Sequence, residues 1–168
     1  MINNAYNLQV LFGCSLDPFS AYICQRGIRT MDLRVQKQMD NAAKLSKALE
    51  ANPNVIRVYH PSLKSHPQHE LAKRIFKNGY GAMLSFVMPD NRTKISEFIR
   101  KLNFVHYAMT LGGYRTTLAY PVLSSHHNMP EAERLEIGIT DGLMRVSVGI
   151  ENPDDLIAEF NQALEVFE

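Results

Sequence analysis

The sequence predicts an α+β fold, with a small and mostly antiparallel sheet that has helices packed on one face. Segments with helical periodicity and short alternating segments both occur, but not in the strict order that a parallel sheet requires. Apolar residues make up 45% of the 168 residues, which is enough for a core and argues against disorder. The clearest strand, 143–150, alternates apolar residues with Arg145 and Ser147, so one of its faces is polar.

The first 16 residues are apolar at several positions but lack a capping residue at their start. These apolar residues are Leu8, Val10, Leu11, Phe12 and Leu16. We expect this segment to be a fragment of something larger, because no other part of the chain offers it an obvious cover. Asp17 followed by Pro18 is typical of a helix start, since aspartate accepts hydrogen bonds from the first turn and proline fits the first helical position. This helix is expected to cover 19–25 and to end near Gly27.

A long amphipathic helix is predicted over 30–51, because apolar residues recur there every three or four positions. They are Met31, Val35, Met39, Ala42, Leu45 and Leu49. The opposite side of this helix is rich in basic residues. We therefore expect the whole apolar stripe to pack on the core.

Proline, asparagine and glycine residues divide the remainder of the chain into short elements. Strands are predicted at 55–59, 82–88, 105–108, 116–120 and 143–150, and helices at 67–77, 93–102, 130–138 and 153–167. Asn152 is the expected cap of the last helix, and Asp154 and Asp155 suit the positive end of its dipole.

Charge and composition exclude several classes of function. The formal net charge of +1 gives no reason to expect binding to nucleic acid or to an anionic membrane. We find no apolar segment long enough to cross a bilayer and no secretory signal at the start of the sequence. Cys14 and Cys24 form no C-x-x-C pattern. We interpret them as small core residues of a protein in a reducing compartment, the cytoplasm.

Two patterns suggest a binding site. Arg145 lies on a strand, and the planar fork of a guanidinium can bind both oxygens of a small carboxylate. The alternative is a solvated arginine, or one paired with a carboxylate on a helix. The bend at 109–114 contains Gly112 and Gly113, which permit the close approach of a ligand. An ordinary turn between two strands is the alternative here.

The histidines do not predict a metal site. His66 and His69 lack a third ligand one helical turn away. His126 and His127 are adjacent and would point apart in an extended chain. The run 124–126, Ser-Ser-His, contains a possible nucleophile and base, but no G-x-S-x-G elbow accompanies it. Nucleotide-binding fingerprints are absent from the sequence.

Five segments follow one another in the order found in one enzyme family. They read DPFSAY and RGIRTM within 17–31, PSLKSHP at 61–67, GYGAMLSF at 79–86, TLGG at 110–113 and GLMRVSVGIE at 142–151. Together they resemble the C-terminal part of the transsulfuration family of pyridoxal-phosphate enzymes of Cys/Met metabolism. Its members include cystathionine γ-synthase, cystathionine γ-lyase and methionine γ-lyase.

The resemblance implies the small C-terminal domain of the aspartate-aminotransferase type (fold type I). It further implies that 1–30 is a remnant of the large domain with an arm, and that 31–168 is the small domain with its linking helix. Arg145 then corresponds to the residue that binds the substrate α-carboxylate, and Thr110 to a serine near that carboxylate and the cofactor. Met109 and Leu111, the neighbours of Thr110, complete the expected substrate-binding set.

The resemblance also implies pyridoxal phosphate as cofactor, a sulfur amino acid as substrate and a homo-oligomer for the full-length parent. The Schiff-base lysine of the family lies upstream of all the matching segments, so we expect this chain alone to bind no cofactor and to be inactive. An apolar residue at Met109 is more typical of methionine γ-lyase than of enzymes that act on cystathionine. A stand-alone, non-catalytic binding or interaction domain of the same fold is the alternative.

Overall fold

Two helices, α1 (Ile2–Phe12) and α2 (Pro18–Arg29), make up most of the first unit of the structure, which extends up to Leu33. The computed structural model describes residues 2–13 and 15–168. Asp17 caps α2 as predicted, since its carboxylate accepts hydrogen bonds of 3.0 Å from the backbone N–H groups of Phe19 and Ser20. The predicted end near Gly27 is wrong: Gly27 lacks the left-handed conformation of a helix end, and α2 continues to Arg29.

The described residues of this first unit are exposed or half-buried, and none of them is part of a core. Cys24 is exposed on α2, so its interpretation as a core residue is wrong. The reason is that the apolar neighbours of Cys24 on α2, including Tyr22 and Ile23, are themselves exposed. Cys14 lies outside the described residues.

The long helix α3 (Met31–Ala51) contributes to the core of the second unit, which runs from Arg34 to Glu168, only through its C-terminal half. Ala42, Leu45 and Leu49 are buried as predicted. The expectation that the whole stripe is buried is wrong, because Met31 and Val35 are exposed. The buried cluster of apolar side chains begins only at Ala42.

A five-stranded sheet organises the second unit. Its strands are β1 (Arg57–Tyr59), β2 (Met83–Val87), β3 (His106–Tyr107), β4 (Thr117–Ala119) and β5 (Leu143–Ser147). They lie in the order β1-β2-β5-β4-β3, and every pair is antiparallel except β3 with β4. Because β3 and β4 are parallel, the segment 108–116 has to run back along the length of these strands before β4 begins.

The core lies on one face of this sheet. The remaining helices are α4 (His69–Ile75), α5 (Arg92–Lys101), α6 (Glu131–Glu136) and α7 (Pro153–Leu164). Phe86 on β2 meets Phe98 on α5 and Phe160 on α7 edge to face, with ring centroids 6.1 and 5.9 Å apart. These rings are fully buried. The prediction of an α+β fold with a mostly antiparallel sheet is therefore confirmed.

Several predicted elements extend too far. The strand predicted at 143–150 ends at Ser147, because the chain then leaves the ladder with β4 and Ile150 N–H bonds to Tyr114 O at 2.9 Å. The helix predicted at 67–77 covers only His69–Ile75. Among the described residues, no helix is long and apolar enough to cross a membrane.

Candidate functional site

Arg145 lies on the face of the sheet that is opposite the core. Its neighbours in register are Ser85 on β2 and Ala119 on β4, which both have short side chains. Arg145 Nη2 donates a long hydrogen bond of 3.4 Å to Met109 O, while its Nε is buried and has no hydrogen-bond partner. Within the described part of the chain, no carboxylate forms an ion pair with Arg145. A half-buried, unneutralised guanidinium suits an anionic ligand.

A cavity of about 250 Å³ opens beside this guanidinium. Its lining consists of Ser85, Met109, Ala119, Pro121, Ser124, Ser125, His126, Ile139 and Arg145. The lining combines apolar side chains with hydroxyl, imidazole and guanidinium groups. The lining contains neither a carboxylate nor a lysine. The volume lies below the roughly 300 to 1,000 Å³ of pockets for drug-sized ligands, so the cavity suits one small molecule.

The loop that joins β3 to β4 is tethered next to Arg145. Gly112 N–H donates to Ser147 Oγ at 3.0 Å, and Thr117 Oγ1 donates to Thr110 O at 3.0 Å. Gly112 has a φ of 74°, in the left-handed region that favours glycine. Gln38 on α3 donates from its side chain to Gly113 O. Because Ser147 follows Arg145 by two residues on β5, one strand holds both the guanidinium and the loop.

Glu151 fixes the far end of the same loop. Its carboxylate accepts hydrogen bonds from Thr116 N–H and, at 2.9 Å, from Thr116 Oγ1, which accepts in turn from Gly149 N–H at 2.9 Å. Asn41 on α3 donates to the carbonyl oxygens of Gly149 and Glu151, at 3.1 and 2.7 Å. A Cβ at Gly149 would lie closer than 3.0 Å to Tyr114 O, so only glycine fits there. The segment from Arg145 to Glu151 therefore positions the loop as well as the guanidinium.

The structure brings together two of the four residues in the predicted substrate-binding set. Arg145 and Met109 line the cavity, and Met109 O contacts the guanidinium. Thr110 and Leu111 are exposed and are not part of the lining. In the described structure Thr110 uses its carbonyl oxygen to hold Thr117, and the Leu111 side chain is 62% exposed.

Other lining residues were not predicted. Ser85 and Ala119 flank Arg145 in register, so they could be found only once the strand pairing is known. Ser124 to His126 follow a 3₁₀ turn (Pro121–Leu123) that begins directly after β4. The sequence marked this run as a possible nucleophile and base but gave no reason to place it beside Arg145.

The histidine pair has separate environments. His126 Nδ1 lies 2.8 Å from Ser125 Oγ, and His127 Nδ1 donates to Ser124 O at 2.7 Å. Only His126 lines the cavity. Across the described residues, no group of three or more His, Cys, Asp or Glu is arranged to hold a metal ion.

A third histidine, His60, has a structural role for which the sequence gave no signal. It is fully buried, with Nε2 3.2 Å from Gly81 O and Nδ1 2.7 Å from Ser62 Oγ. A carbonyl oxygen can only accept, so Nε2 carries the proton and Nδ1 accepts from Ser62. Burial lowers the pKa of the His60 imidazole, which favours the neutral form. His60 thus ties the segment 61–67 to the start of β2.

Comparison with protein families gives one match that spans almost the whole chain. The model of the family described as "Cys/Met metabolism PLP-dependent enzyme", where PLP is pyridoxal phosphate, matches residues 1–165. The chain belongs to this family. The resemblance inferred from the five motifs is confirmed.

Curated relatives in this family are 38% to 39% identical to the chain over the aligned region. Cystathionine γ-synthase 1 (chloroplastic) of Arabidopsis thaliana is 38% identical over 98% of the chain, which spans 29% of that protein. Cystathionine γ-lyase of Rattus norvegicus is 38% identical over 94% of the chain, which spans 39% of that relative. Cystathionine β-lyase of Lactococcus lactis subsp. cremoris is 39% identical over 94% of the chain and 41% of its own length. The chain therefore spans well under half of each of these relatives.

Solved structures confirm the fold. A cystathionine γ-synthase from Xanthomonas oryzae pv. oryzae, in complex with aminoacrylate and cysteine, matches with a TM-score of 0.82 and 34% identity over 94% of this chain and 40% of that one. An O-acetylhomoserine (thiol)-lyase from Campylobacter jejuni, solved with a pyridoxyl-lysine phosphate residue, matches with a TM-score of 0.83 and 32% identity. That match covers 92% of this chain and 37% of the other.

Proposed function

We propose that this chain supplies the substrate-carboxylate-binding part of a PLP-dependent enzyme that acts on a sulfur amino acid. The observation that carries this proposal is Arg145, a half-buried guanidinium that lines a small cavity and has no carboxylate partner among the described residues. Its two small neighbours, Ser85 and Ala119, leave room for a ligand beside it. A bidentate clamp on the α-carboxylate would fix how the substrate Cα bonds are oriented toward the reacting centre.

The lining of this cavity does not fit the cofactor itself. An aldehyde needs an amine to form a Schiff base, and none of the nine lining residues is a lysine. The family's cofactor supplies the electron sink for chemistry at the substrate Cα. We infer that the lysine and the phosphate-binding groups come from outside this cavity, and that this chain alone is catalytically inactive.

The character of the lining supports an uncharged substrate side chain. Arg145 is its permanent cation, and no lining carboxylate is present to pair with a distal ammonium group. Met109, Pro121 and Ile139 give an apolar wall that suits a thioether. We therefore propose a C–S lyase of the methionine γ-lyase kind for the parent enzyme. Cystathionine, with two amino acid ends, suits this lining less well.

The remaining proposals concern the chain as a part of a larger enzyme. The described residues before Arg34 expose many apolar side chains, which favours an arm that belongs against other protein surface. A stand-alone binding domain would be expected to cover or replace them. We propose that the parent is a homo-oligomer and that 1–30 belongs with its large domain. A reducing, cytoplasmic location is our proposal from the low cysteine content.

The experiment that tests the proposal is a titration of the chain with L-methionine, followed through the Nε–H resonance of Arg145 by NMR. We expect a saturable shift of that resonance. Arg145→Lys should weaken binding by more than about tenfold, because an ammonium cannot reproduce the bidentate fork. L-Methioninol, which keeps the side chain and the amine but lacks the carboxylate, should not compete.

Arg57→Lys is the matched control variant. Arg57 is an exposed arginine on β1 that stacks on Tyr59 and does not line the cavity, so this change should leave the affinity unaltered. The proposal is wrong if Arg145 does not respond to L-methionine at concentrations up to its solubility limit. Equal weakening by the two variants would also contradict it.

A further inference from the structure

His126 lines the same cavity as Arg145, and its backbone is held by hydrogen bonds on both sides. Its backbone N–H donates to Pro121 O at 2.9 Å, and its carbonyl oxygen accepts from Met129 N–H at 3.1 Å. Ser124 Oγ donates to Tyr120 O at 2.7 Å at the start of this turn. The turn is therefore anchored to Tyr120 and Pro121, the two residues that follow β4, and β4 is the strand next to Arg145.

The ring nitrogens of His126 differ in their environments. Nδ1 lies 2.8 Å from Ser125 Oγ, whereas Nε2 forms no hydrogen bond within the described structure. If the serine hydroxyl donates to Nδ1, the proton of a neutral ring resides on Nε2, which is then a donor. The orientation of the Ser125 hydroxyl thus decides whether Nε2 is a donor or an acceptor.

We propose that His126 is a second substrate-binding residue, with Nε2–H donating a hydrogen bond to the carboxylate held by Arg145, and that Ser125 is a positioning residue that selects this tautomer. The proposal rests on the proposed function, because it concerns the same carboxylate. Arg145 and His126 both line this one cavity of about 250 Å³, so a single small ligand can contact both groups. A carboxylate has about four lone-pair sites, so it can accept from the guanidinium and from an imidazole together.

The alternative is a purely structural histidine that holds the turn through Ser125. Both readings place Ser125 Oγ near Nδ1, but they differ at Nε2. A structural role requires no ligand response from Nε2 and no preference for either tautomer. His127 is the matched comparison, because it is adjacent in sequence, bonds to Ser124 O through Nδ1 and does not line the cavity.

The test uses the whole chain with ¹⁵N-labelled histidine. In the ligand-free protein the His126 ring should be in the Nε2–H tautomer, Ser125→Ala should populate the other tautomer and Ser125→Thr, which keeps the hydroxyl, should not. On titration with L-methionine, His126 Nε2 should shift with the same Kd as Arg145 Nε, while the His127 ring stays unchanged. His126→Phe should raise the Kd by about tenfold or more, as expected for one hydrogen bond to a charged group.

Two controls separate the outcomes. His126→Gln, which retains an N–H donor, should recover most of the affinity, and His127→Phe should leave the Kd unchanged. If Arg145 responds to L-methionine while His126 Nε2 does not, and His126→Phe binds normally, the inference is wrong and the proposed function stands. If Arg145 itself does not respond, both fail. The spectra of the unsubstituted chain decide the matter even where a variant does not fold.

Discussion

At the scale of single residues, a close contact with backbone atoms limits which residues can replace Gly142. Gly142 follows Asp141 at the entry to β5, and Met88 N–H donates to its carbonyl oxygen at 3.0 Å. A Cβ at this position would lie closer than 3.0 Å to Met88 O, which is a backbone atom that cannot turn aside. We expect Gly142→Ala to lower the free energy of unfolding by about 3 kcal/mol, measured by urea denaturation.

Gly113→Ala is the matched control for this prediction. No heavy atom lies within 4 Å of a Cβ at Gly113, and its φ is not in the left-handed region, so this change should alter the free energy of unfolding by less than about 1 kcal/mol. A loss of unfolding free energy at Gly142 as small as the loss at Gly113 would show that movement of the chain relieves the clash at Gly142. The backbone at Gly142, three residues before Arg145, would then be more adaptable than its contacts indicate.

At the scale of elements, a buried carboxylate on α7 holds the turn that leads into β3. Glu159 accepts hydrogen bonds from the backbone N–H groups of Asn103, Phe104 and Val105 and from the Asn103 side chain. Burial alone would raise the pKa of Glu159. The hydrogen bonds from Phe104, Asn103 and Val105 outweigh burial, so the pKa lies below its usual range. The ionised form therefore stabilises the fold.

The sign of this shift fixes the pH dependence of stability. The pKa of glutamate in the unfolded chain is about 4.3. A carboxyl group whose pKa is lower in the folded chain stabilises the protein at pH values above its unfolded-state pKa. That stabilisation is lost as the pH falls through the pKa of the folded state. We expect Glu159→Gln to lower the free energy of unfolding by about 1 to 3 kcal/mol at pH 7. The difference from the unsubstituted chain should shrink below about pH 4.

Denaturation at a series of pH values checks this prediction, with Glu97→Gln on α5 as the control. Glu97 is exposed, so its replacement should change little at any pH. The pKa of Asp141 is also lowered, chiefly by its hydrogen bond from Arg92, but Asp141 is common to all three proteins and cancels in the comparison. A difference between Glu159→Gln and the unsubstituted chain that stays constant from pH 7 to about pH 3 would contradict the role given to the charge.

Local patterns predicted the elements well and the site only in part. Alternation was enough to place Arg145 on the polar face of β5, and Asp17 and Asn152 both cap helices as expected. Thr110 was expected in the site because it corresponds to a serine of the family, with Met109 and Leu111 as its neighbours, but of these three residues only Met109 lines the cavity. The direction of a side chain in a glycine-containing loop depends on hydrogen bonds to residues that are distant in sequence. Sequence spacing contains no information on those hydrogen bonds.

At the scale of the whole molecule, burial is divided unevenly along the chain. Among the described residues, every buried side chain lies at Gln38 or later, and 13 of the 27 large exposed apolar residues lie before Arg34. The sequence could not predict this distribution, because an apolar stripe on a helix has the same periodicity whether it packs on the core of its own chain or stays exposed on that chain. Met31 and Val35 are exposed although they belong to the same stripe as the buried Leu45.

The final prediction is that the chain without its first 33 residues folds with almost the same stability. These residues add no buried side chain among those described, so their removal should change the free energy of unfolding by less than about 1 kcal/mol. Binding of an apolar dye should fall, since about half of the large exposed apolar residues are removed. Urea denaturation and dye fluorescence, measured on both proteins, check the two parts.

A variant of the 168-residue chain with Leu11→Lys and Ile23→Lys distinguishes the effect of the exposed apolar surface from the effect of shortening the chain. Both residues are exposed on the helices that precede α3, so the changes should lower dye binding and self-association while leaving the unfolding transition in place. A truncated chain that no longer unfolds cooperatively would show that the first 33 residues stabilise the rest of the protein. Unchanged dye binding by the truncated chain would instead show that the dye binds an apolar surface of the later unit. That result would remove the main support for the proposal that the first residues are an arm that packs against another part of a larger enzyme.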